Sequence, residues 1–141
     1  PPRDEVAGEI EPQNGLIGNL DTISRAPIKN VFVGVAPFPV SESWKVFAYL
    51  RYGNWNDCPA PVVHCALHKL WAEKYDVTLA TCAFDTVEVV VGKPVSTTKE
   101  AEELAMQQYL YCNDIIDQGL GSFDALAGSL LGAKTWFFWW D

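Results

Sequence analysis

The chain has 141 residues, of which 49% are hydrophobic and 20% charged, and its formal net charge is −8. This length fits one domain that buries a core without disulfides or metals, and the composition excludes a disordered chain. The longest apolar runs, Val89 to Val91 and Trp136 to Trp140, are far shorter than the ~20 residues that a membrane helix needs. Because the chain begins Pro-Pro-Arg without an initiator Met, we expect a processed form or a fragment.

The negative charge is concentrated in the last third of the chain. From Glu100 to Asp141 seven acidic residues stand against one basic residue, whereas six of each lie between Glu42 and Lys99. Such a field repels phosphate backbones and anionic lipid, so we predict neither nucleic-acid nor membrane binding. It would attract a basic protein partner. The alternative is a solvated face that only keeps the protein in solution.

The first 61 residues are predicted to form an irregular arm, a strand, a short helix and a loop. Residues 1–28 lack periodicity and are predicted to be an irregular arm, followed by a single domain over 29–141. A strand is predicted from Asn30 to Pro37, and a helix capped by Ser41 runs through Leu50. The inner face of this helix is predicted to hold Trp44, Phe47 and Ala48. The next stretch, "RYGNWNDCPAP", is typical of a loop because it combines Gly, Asn, Asp and Pro.

A second helix is predicted to begin at Pro61, and a hairpin follows it. Proline suits the first turn of a helix. The predicted apolar stripe of this helix consists of Val63, Leu67, Leu70 and Trp71. Two strands, Val77 to Ala83 and Thr86 to Val91, are then joined through Phe84 and Asp85, which is short enough for a hairpin turn.

The C-terminal part contains two helix-capping signals and an aromatic tail. Thr97 and Glu100 form a capping box that opens a long helix toward Cys112, and Ser122 caps a shorter one. The last stretch, "TWFFWWD", has five consecutive aromatic residues. We predict that it is an inner strand covered on both sides. The order β-α-α-β-β-α-α-β predicts an α+β domain, with helices packed on a small mixed sheet that includes the hairpin and this tail.

Five stretches, in this order and at this spacing, resemble the bacterial domain-of-unknown-function family 4253: "YGNWNDCP", "HCALHKLWAEKY", "DTVEVVV", "YCNDIIDQG" and "WFFWWD". The resemblance covers Val31 to Asp141 and excludes the N-terminal arm. One departure is Asn113, where the family commonly has proline. The resemblance implies a bacterial source and assigns no activity, so no catalytic residue is carried over from it.

His64 and His68 are the first candidate catalytic pair. Residues four apart on a helix share one face, as a metal site requires. Zinc needs a third protein ligand, however, and the helix lacks the glutamate of an H-E-x-x-H motif, so we predict no metal and no cofactor. The alternative is that both histidines border the apolar stripe and bond to backbone or solvent.

Asp114 and Asp117 are the second candidate catalytic pair, because their spacing suits acid–base chemistry or a divalent cation. The alternative is that the long helix breaks near Asn113, which caps a new turn and leaves Asp114 at a helix N-terminus. Asp85 and Glu88 also suggest the acid pair of a nuclease hairpin. Val90 stands where such a hairpin needs lysine, so a nuclease is disfavoured.

The four cysteines, Cys58, Cys65, Cys82 and Cys112, form no C-x-x-C pair. Neither a zinc knuckle nor a thioredoxin-type site is therefore indicated, and reduced thiols are favoured.

Two functional hypotheses remain. The first is a small cytoplasmic bacterial module that binds a basic protein, for example a toxin that it neutralises, with Trp55 as an exposed anchor. Its predicted binding residues are Trp55, Asn56, Asp114, Asp117 and Gln118. The second is a metal-assisted hydrolase that uses His64 and His68 or Asp114 and Asp117.

Overall fold

A computed structural model describes residues 11–18, 24, 26–28, 37 and 41–141 of the chain. Its elements, in chain order, are a 3-10 helix (Ser43–Lys45), α1 (Val46–Leu50), α2 (Pro61–Tyr75), β1 (Val77–Cys82), β2 (Thr86–Val91), α3 (Thr98–Tyr111), a π-helix (Ile115–Leu120), α4 (Phe123–Leu130) and β3 (Thr135–Trp139). The predicted α+β class is confirmed. The predicted strand from Asn30 to Pro37 lies outside the described residues, apart from Pro37.

Two of the three predicted helix caps are confirmed. The Thr97 hydroxyl accepts the N–H of Glu100 at 3.3 Å, and the Ser122 hydroxyl accepts the N–H of Ala125 at 3.1 Å. The predicted cap at Ser41 is wrong, because the first turn begins at Ser43 and has no side-chain cap. The Ser43 hydroxyl instead accepts the N–H of Leu79 at 2.9 Å, so β1 fixes this turn.

Within the described residues the sheet has three strands in the order β1-β2-β3, and both pairings are antiparallel rather than mixed. The predicted hairpin is confirmed. An irregularity in β1 between Leu79 and Thr81 brings Thr81 opposite Glu88. Because β3 stands at one end of this order, the prediction that the tail is an inner strand is wrong for the part of the chain that is described.

The tail nevertheless buries one complete face. Trp136, Phe138 and Trp140 are at most 3% exposed, whereas Phe137 and Trp139 on the other side are half-buried. The ring of Trp71 on α2 stacks on Phe138 at 5.6 Å and meets Trp136 edge-on at 5.5 Å. The sheet thus packs its aromatic face against α2, and Tyr111 of α3 adds an edge contact to Phe138 at 5.0 Å.

The buried stripe of α2 differs from the predicted one. Its buried side chains are His64, His68, Trp71 and Tyr75. Of the predicted stripe only Trp71 is buried, since Val63 and Leu70 are 40% and 46% exposed and Leu67 is half-buried. The side of α2 that carries the histidines therefore faces the core. There both imidazoles contact the hydroxyl of Tyr111 on α3.

Candidate functional site

Both histidines lie in the centre of the core, 0% and 2% exposed. The hydroxyl of Tyr111 sits between them, 2.6 Å from His64 Nδ1 and 3.0 Å from His68 Nε2. The spacing of four therefore brings the imidazoles to one face, as predicted. The alternative is that they bond to backbone or solvent: His64 does bond to the backbone of Pro59, but neither ring reaches solvent, and both contact a tyrosine from α3. We call Cys58, His64, His68 and Tyr111 the histidine cluster.

The neighbours of His64 set the direction of the hydrogen bonds. His64 also bonds to the backbone of Pro59, whose carbonyl can only accept. Nδ1 faces Tyr111, so a hydrogen on Nε2 allows His64 to donate to the Pro59 carbonyl; Nε2 also lies 3.5 Å from Cys58 Sγ. Tyr111 then donates to His64 Nδ1 and accepts from His68 Nε2. The Tyr111 hydroxyl is thus complementary to the two ring nitrogens that face it, whereas the buried Nδ1 of His68 has no hydrogen-bond partner among the described residues.

Burial keeps the cluster uncharged at neutral pH. It lowers the pKa of His64 to about 4, and burial together with the neighbouring His64 lowers the pKa of His68 to about 3. Burial also raises the pKa of Tyr111 well above its ordinary value. Among residues 41–141 and the other described positions, no three His, Cys, Asp or Glu side chains gather as metal ligands. The described residues therefore give His64 and His68 no third metal ligand of these four types.

We expect Tyr111→Phe to lower the free energy of unfolding by about 2–5 kcal/mol, because it leaves a nitrogen of each histidine buried without a partner. Urea unfolding followed by circular dichroism measures this. Tyr109→Phe is the matched control, since the Tyr109 hydroxyl makes an exposed 3.4 Å contact with Asp117. Equal stability of the two variants would contradict the role assigned to the Tyr111 hydroxyl.

All four cysteine thiols are free. Burial raises the pKa of Cys58, Cys82 and Cys112 to about 12, and it raises the pKa of Cys65 as well. Because the thiolate is the reactive form, we expect a thiol reagent to label the native protein slowly at pH 7 and the urea-unfolded protein rapidly. Fast labelling of Cys58 in the native protein would contradict this expectation.

The two candidate aspartates are in different environments. Asp114 is 6% exposed, and its carboxylate accepts the Asp141 N–H at 3.0 Å and the Gln118 amide at 2.9 Å. Asp117 is exposed on the π-helix. The two carboxylates therefore differ in burial and in hydrogen bonding. Asp114 instead fastens the end of the tail to a π-helix, a rare element that is frequent at functional sites.

The predicted break of the long helix is confirmed, but its cap differs. Helix α3 ends at Tyr111, and Asp114 stands at the start of the next helical turn. The backbone carbonyl of Asn113, rather than its side chain, accepts the N–H groups of Ile116 and Asp117, both at 3.0 Å.

The loop before α2 has an unusual backbone. Three of its non-glycine residues have positive φ angles, namely Arg51 (50°), Asn54 (67°) and Asn56 (43°), and Gly53 has φ 111°. A Cβ on Gly53 would lie 1.9 Å from the Pro59 carbonyl oxygen, so no larger residue fits. The Asn56 amide donates to the Asp141 carbonyl at 3.0 Å, which ties the loop to the tail. Such conformations persist only where the surroundings hold them.

This loop places Trp55 against the hairpin turn. Its ring stacks on Phe84 at 5.6 Å and meets Tyr52 edge-on at 5.0 Å. Trp55 is half-buried, so the prediction of an exposed anchor there is wrong; Phe84 is the exposed ring, at 83%. Sequence reasoning treated Phe84 only as a turn residue. An aromatic residue in a position that favours Gly, Asn or Asp is the signal that could have identified it.

Three exposed aspartates are linked to this aromatic pair, two by their position in the chain and one by a hydrogen bond. Asp85 follows Phe84 in the turn, Asp57 lies two residues after Trp55, and Asp141 is joined to Asn56. All three are exposed. We call Trp55, Phe84, Asp57, Asp85 and Asp141 the aromatic–acidic face. Four of the predicted binding residues contribute to it or to its support: Trp55, Asn56, Asp114 and Gln118.

Comparisons with known proteins assign the family and no activity. In the described part of the chain, no helix is both long enough and apolar enough to cross a membrane. Neither a curated protein nor a solved structure shows significant similarity to the chain. One family model, described as Domain of unknown function (DUF4253), matches residues 34–141. The chain therefore belongs to the DUF4253 family.

Proposed function

We propose that this domain binds a basic protein partner through the aromatic–acidic face. The observation that carries the proposal is Phe84, a ring 83% exposed that stacks on Trp55 and is followed in the turn by the exposed Asp85. Isolated exposed apolar residues are common on monomers, but Phe84 is an exposed ring stacked on Trp55, which a strained loop positions and which itself packs on the core.

The contacts beneath the aromatic–acidic face favour binding, because they hold the Trp55 ring in place before a partner binds. Trp55 is held by Tyr52 and Phe84, and its loop is tied to Asp141 through Asn56. A preorganised aromatic anchor loses little conformational entropy when a partner covers it. Tryptophan and other aromatic residues supply much of the energy at protein interfaces.

The charge of the face selects the partner. Asp57, Asp85 and Asp141 would attract lysine and arginine side chains, and the net charge of −8 would increase the association rate of a basic protein. Arginine can in addition stack on Trp55 or Phe84. We propose a bacterial cytoplasmic partner of this kind, such as a basic toxin that the domain neutralises.

The proposal is tested by selecting binders from a display library of random 12-residue peptides. We expect the enriched peptides to carry an excess of Lys and Arg, and Phe84→Ser to weaken their binding at least about tenfold, or ~1.4 kcal/mol. Leu110→Ser is the matched control, because Leu110 is similarly exposed, at 77%, on α3. Enriched peptides without a basic excess, or equal loss in both variants, would refute the proposal.

A further inference from the structure

The outer face of the sheet, opposite the aromatic core, contains a buried carboxylate that the proposed function does not use. Glu88 on β2 is 2% exposed. One of its oxygens, Oε1, accepts the backbone N–H groups of Ile17 and Gly18, and the other accepts the Thr81 hydroxyl at 3.0 Å. A carboxylate oxygen that accepts two successive backbone N–H groups binds a peptide where its chain turns, because successive N–H groups of an extended strand point to opposite sides.

A second set of bonds holds the same segment at the start of β3. The backbone N–H groups of Lys134 and Thr135 donate to the Gln13 carbonyl at 3.1 and 3.3 Å. The Thr135 hydroxyl donates to the Gly15 carbonyl at 3.0 Å. The main chain of residues 11–18 is therefore held at two places, at Glu88 and at the start of β3. A bound peptide is held by its main chain in the same manner.

Gly18 is required by the close approach to Glu88. A Cβ at this position would lie 2.8 Å from Glu88 Oε2 and 3.3 Å from its carboxyl carbon. Glu88 is held in place by Thr81, so it has little freedom to retreat from a larger residue. Glu88 therefore favours glycine at position 18, which supplies the second of the two N–H groups.

The segment is separate from the domain that it covers. The family match begins at residue 34, after the segment ends. The 22 residues between Gly18 and Ser41 can reach ~70 Å at ~3.3 Å per residue. This length is sufficient for the segment to leave its site without unfolding the domain.

We propose that Glu88, Thr81 and the first residues of β3 form a peptide-binding site, and that residues 11–18 are its intramolecular occupant. The ligand is a peptide that turns so that two adjacent backbone N–H groups point to the same side, the second of them belonging to glycine. This site is independent of the aromatic–acidic face.

The full-length Gly18→Val variant tests the proposal, because its side chain is expected to displace residues 17 and 18 from Glu88 while Glu88 itself is unchanged. The probe is a fluorescent peptide of residues 11–18, EPQNGLIG, and the readout is fluorescence anisotropy. We expect the probe to bind Gly18→Val and to bind the wild-type chain at least tenfold more weakly, since the wild-type site is filled. A Gly18→Val/Glu88→Leu chain, and a probe whose last glycine is valine, should each lose the binding.

Three outcomes would overturn the proposal. One is failure of the probe to bind the Gly18→Val chain. Another is that the probe binds the Gly18→Val/Glu88→Leu chain as tightly as it binds Gly18→Val. The third is loss of cooperative thermal unfolding in Gly18→Val, which would make residues 11–18 an integral part of the core rather than a separable ligand.

Discussion

A chain truncated after Thr135 is expected to lose cooperative folding altogether. The truncation removes Trp136, Phe138 and Trp140, all at most 3% exposed, and with them the pairing of β3 with β2. Removing a large buried aromatic side chain costs about 3–5 kcal/mol, so the three together cost roughly 9–15 kcal/mol. That sum is comparable to the whole stability of a typical domain, about 5–15 kcal/mol.

Circular dichroism and thermal unfolding of the truncated chain measure this effect. The double variant Phe137→Ser/Trp139→Ser is the control, because these side chains lie on the opposite, half-buried side of the same strand. We expect it to be less stable than the wild type but still cooperative. A truncated monomer with native-like circular dichroism and a sharp transition would show that the tail is a docking peptide instead.

The free energy of unfolding is expected to fall steeply as the pH drops below 6.5. The pKa values of His64 and His68 are lowered by burial to about 4 and about 3, whereas both rings have a pKa near 6.5 when the chain is unfolded. Below pH 6.5 the unfolded chain therefore binds two protons that the folded chain does not. Each contributes a slope of at most about 1.4 kcal/mol per pH unit, which continues until the folded-state pKa is passed.

Urea unfolding at several pH values between 7 and 4 gives this slope. His68→Gln is the informative variant, because its amide nitrogen can still donate to Tyr111 but does not titrate. We expect it to halve the slope between pH 6.5 and 4, while the stability at pH 7 changes less. An unchanged slope would mean that carboxylates, and not the histidines, govern acid unfolding.

The local features of the fold could be predicted because their causes lie within a few residues. The capping pairs Thr97–Glu100 and Ser122–Ala125 are three residues apart, and the hairpin turn is set by its two central residues. The burial of α2 could not be predicted in this way. A 3.6-residue period fits Val63 and Leu70 as well as His64 and Trp71, and the choice depends on Tyr111, which is 47 residues from His64.

Individual residues of the candidate site could be predicted from the sequence, but the contacts that join them could not. Trp55 and Asn56 are neighbours in one loop, and Asp114 and Gln118 are four residues apart. What joins them is the last residue: Asp141 bonds to Asn56 across 85 positions and to Asp114 across 27. Phe84 was missed because nothing near it in the sequence shows that Trp55 stacks on it.

The central claim is that the exposed aromatic–acidic face binds a partner, whereas the buried histidine cluster supports the fold. The most direct test observes each tryptophan side chain separately while a peptide is added. The chain has six indole N–H groups, each giving one signal in a ¹⁵N–¹H NMR spectrum. The probe is a 12-residue peptide of lysine and glycine with a central leucine, and the control is the same peptide with glutamate for lysine. We predict that the lysine peptide shifts the Trp55 signal, leaves those of Trp71, Trp136 and Trp140 in place, and loses its effect in Phe84→Ser. A Trp55 signal that stays fixed at millimolar lysine peptide, or that shifts equally with the glutamate peptide, would contradict the claim.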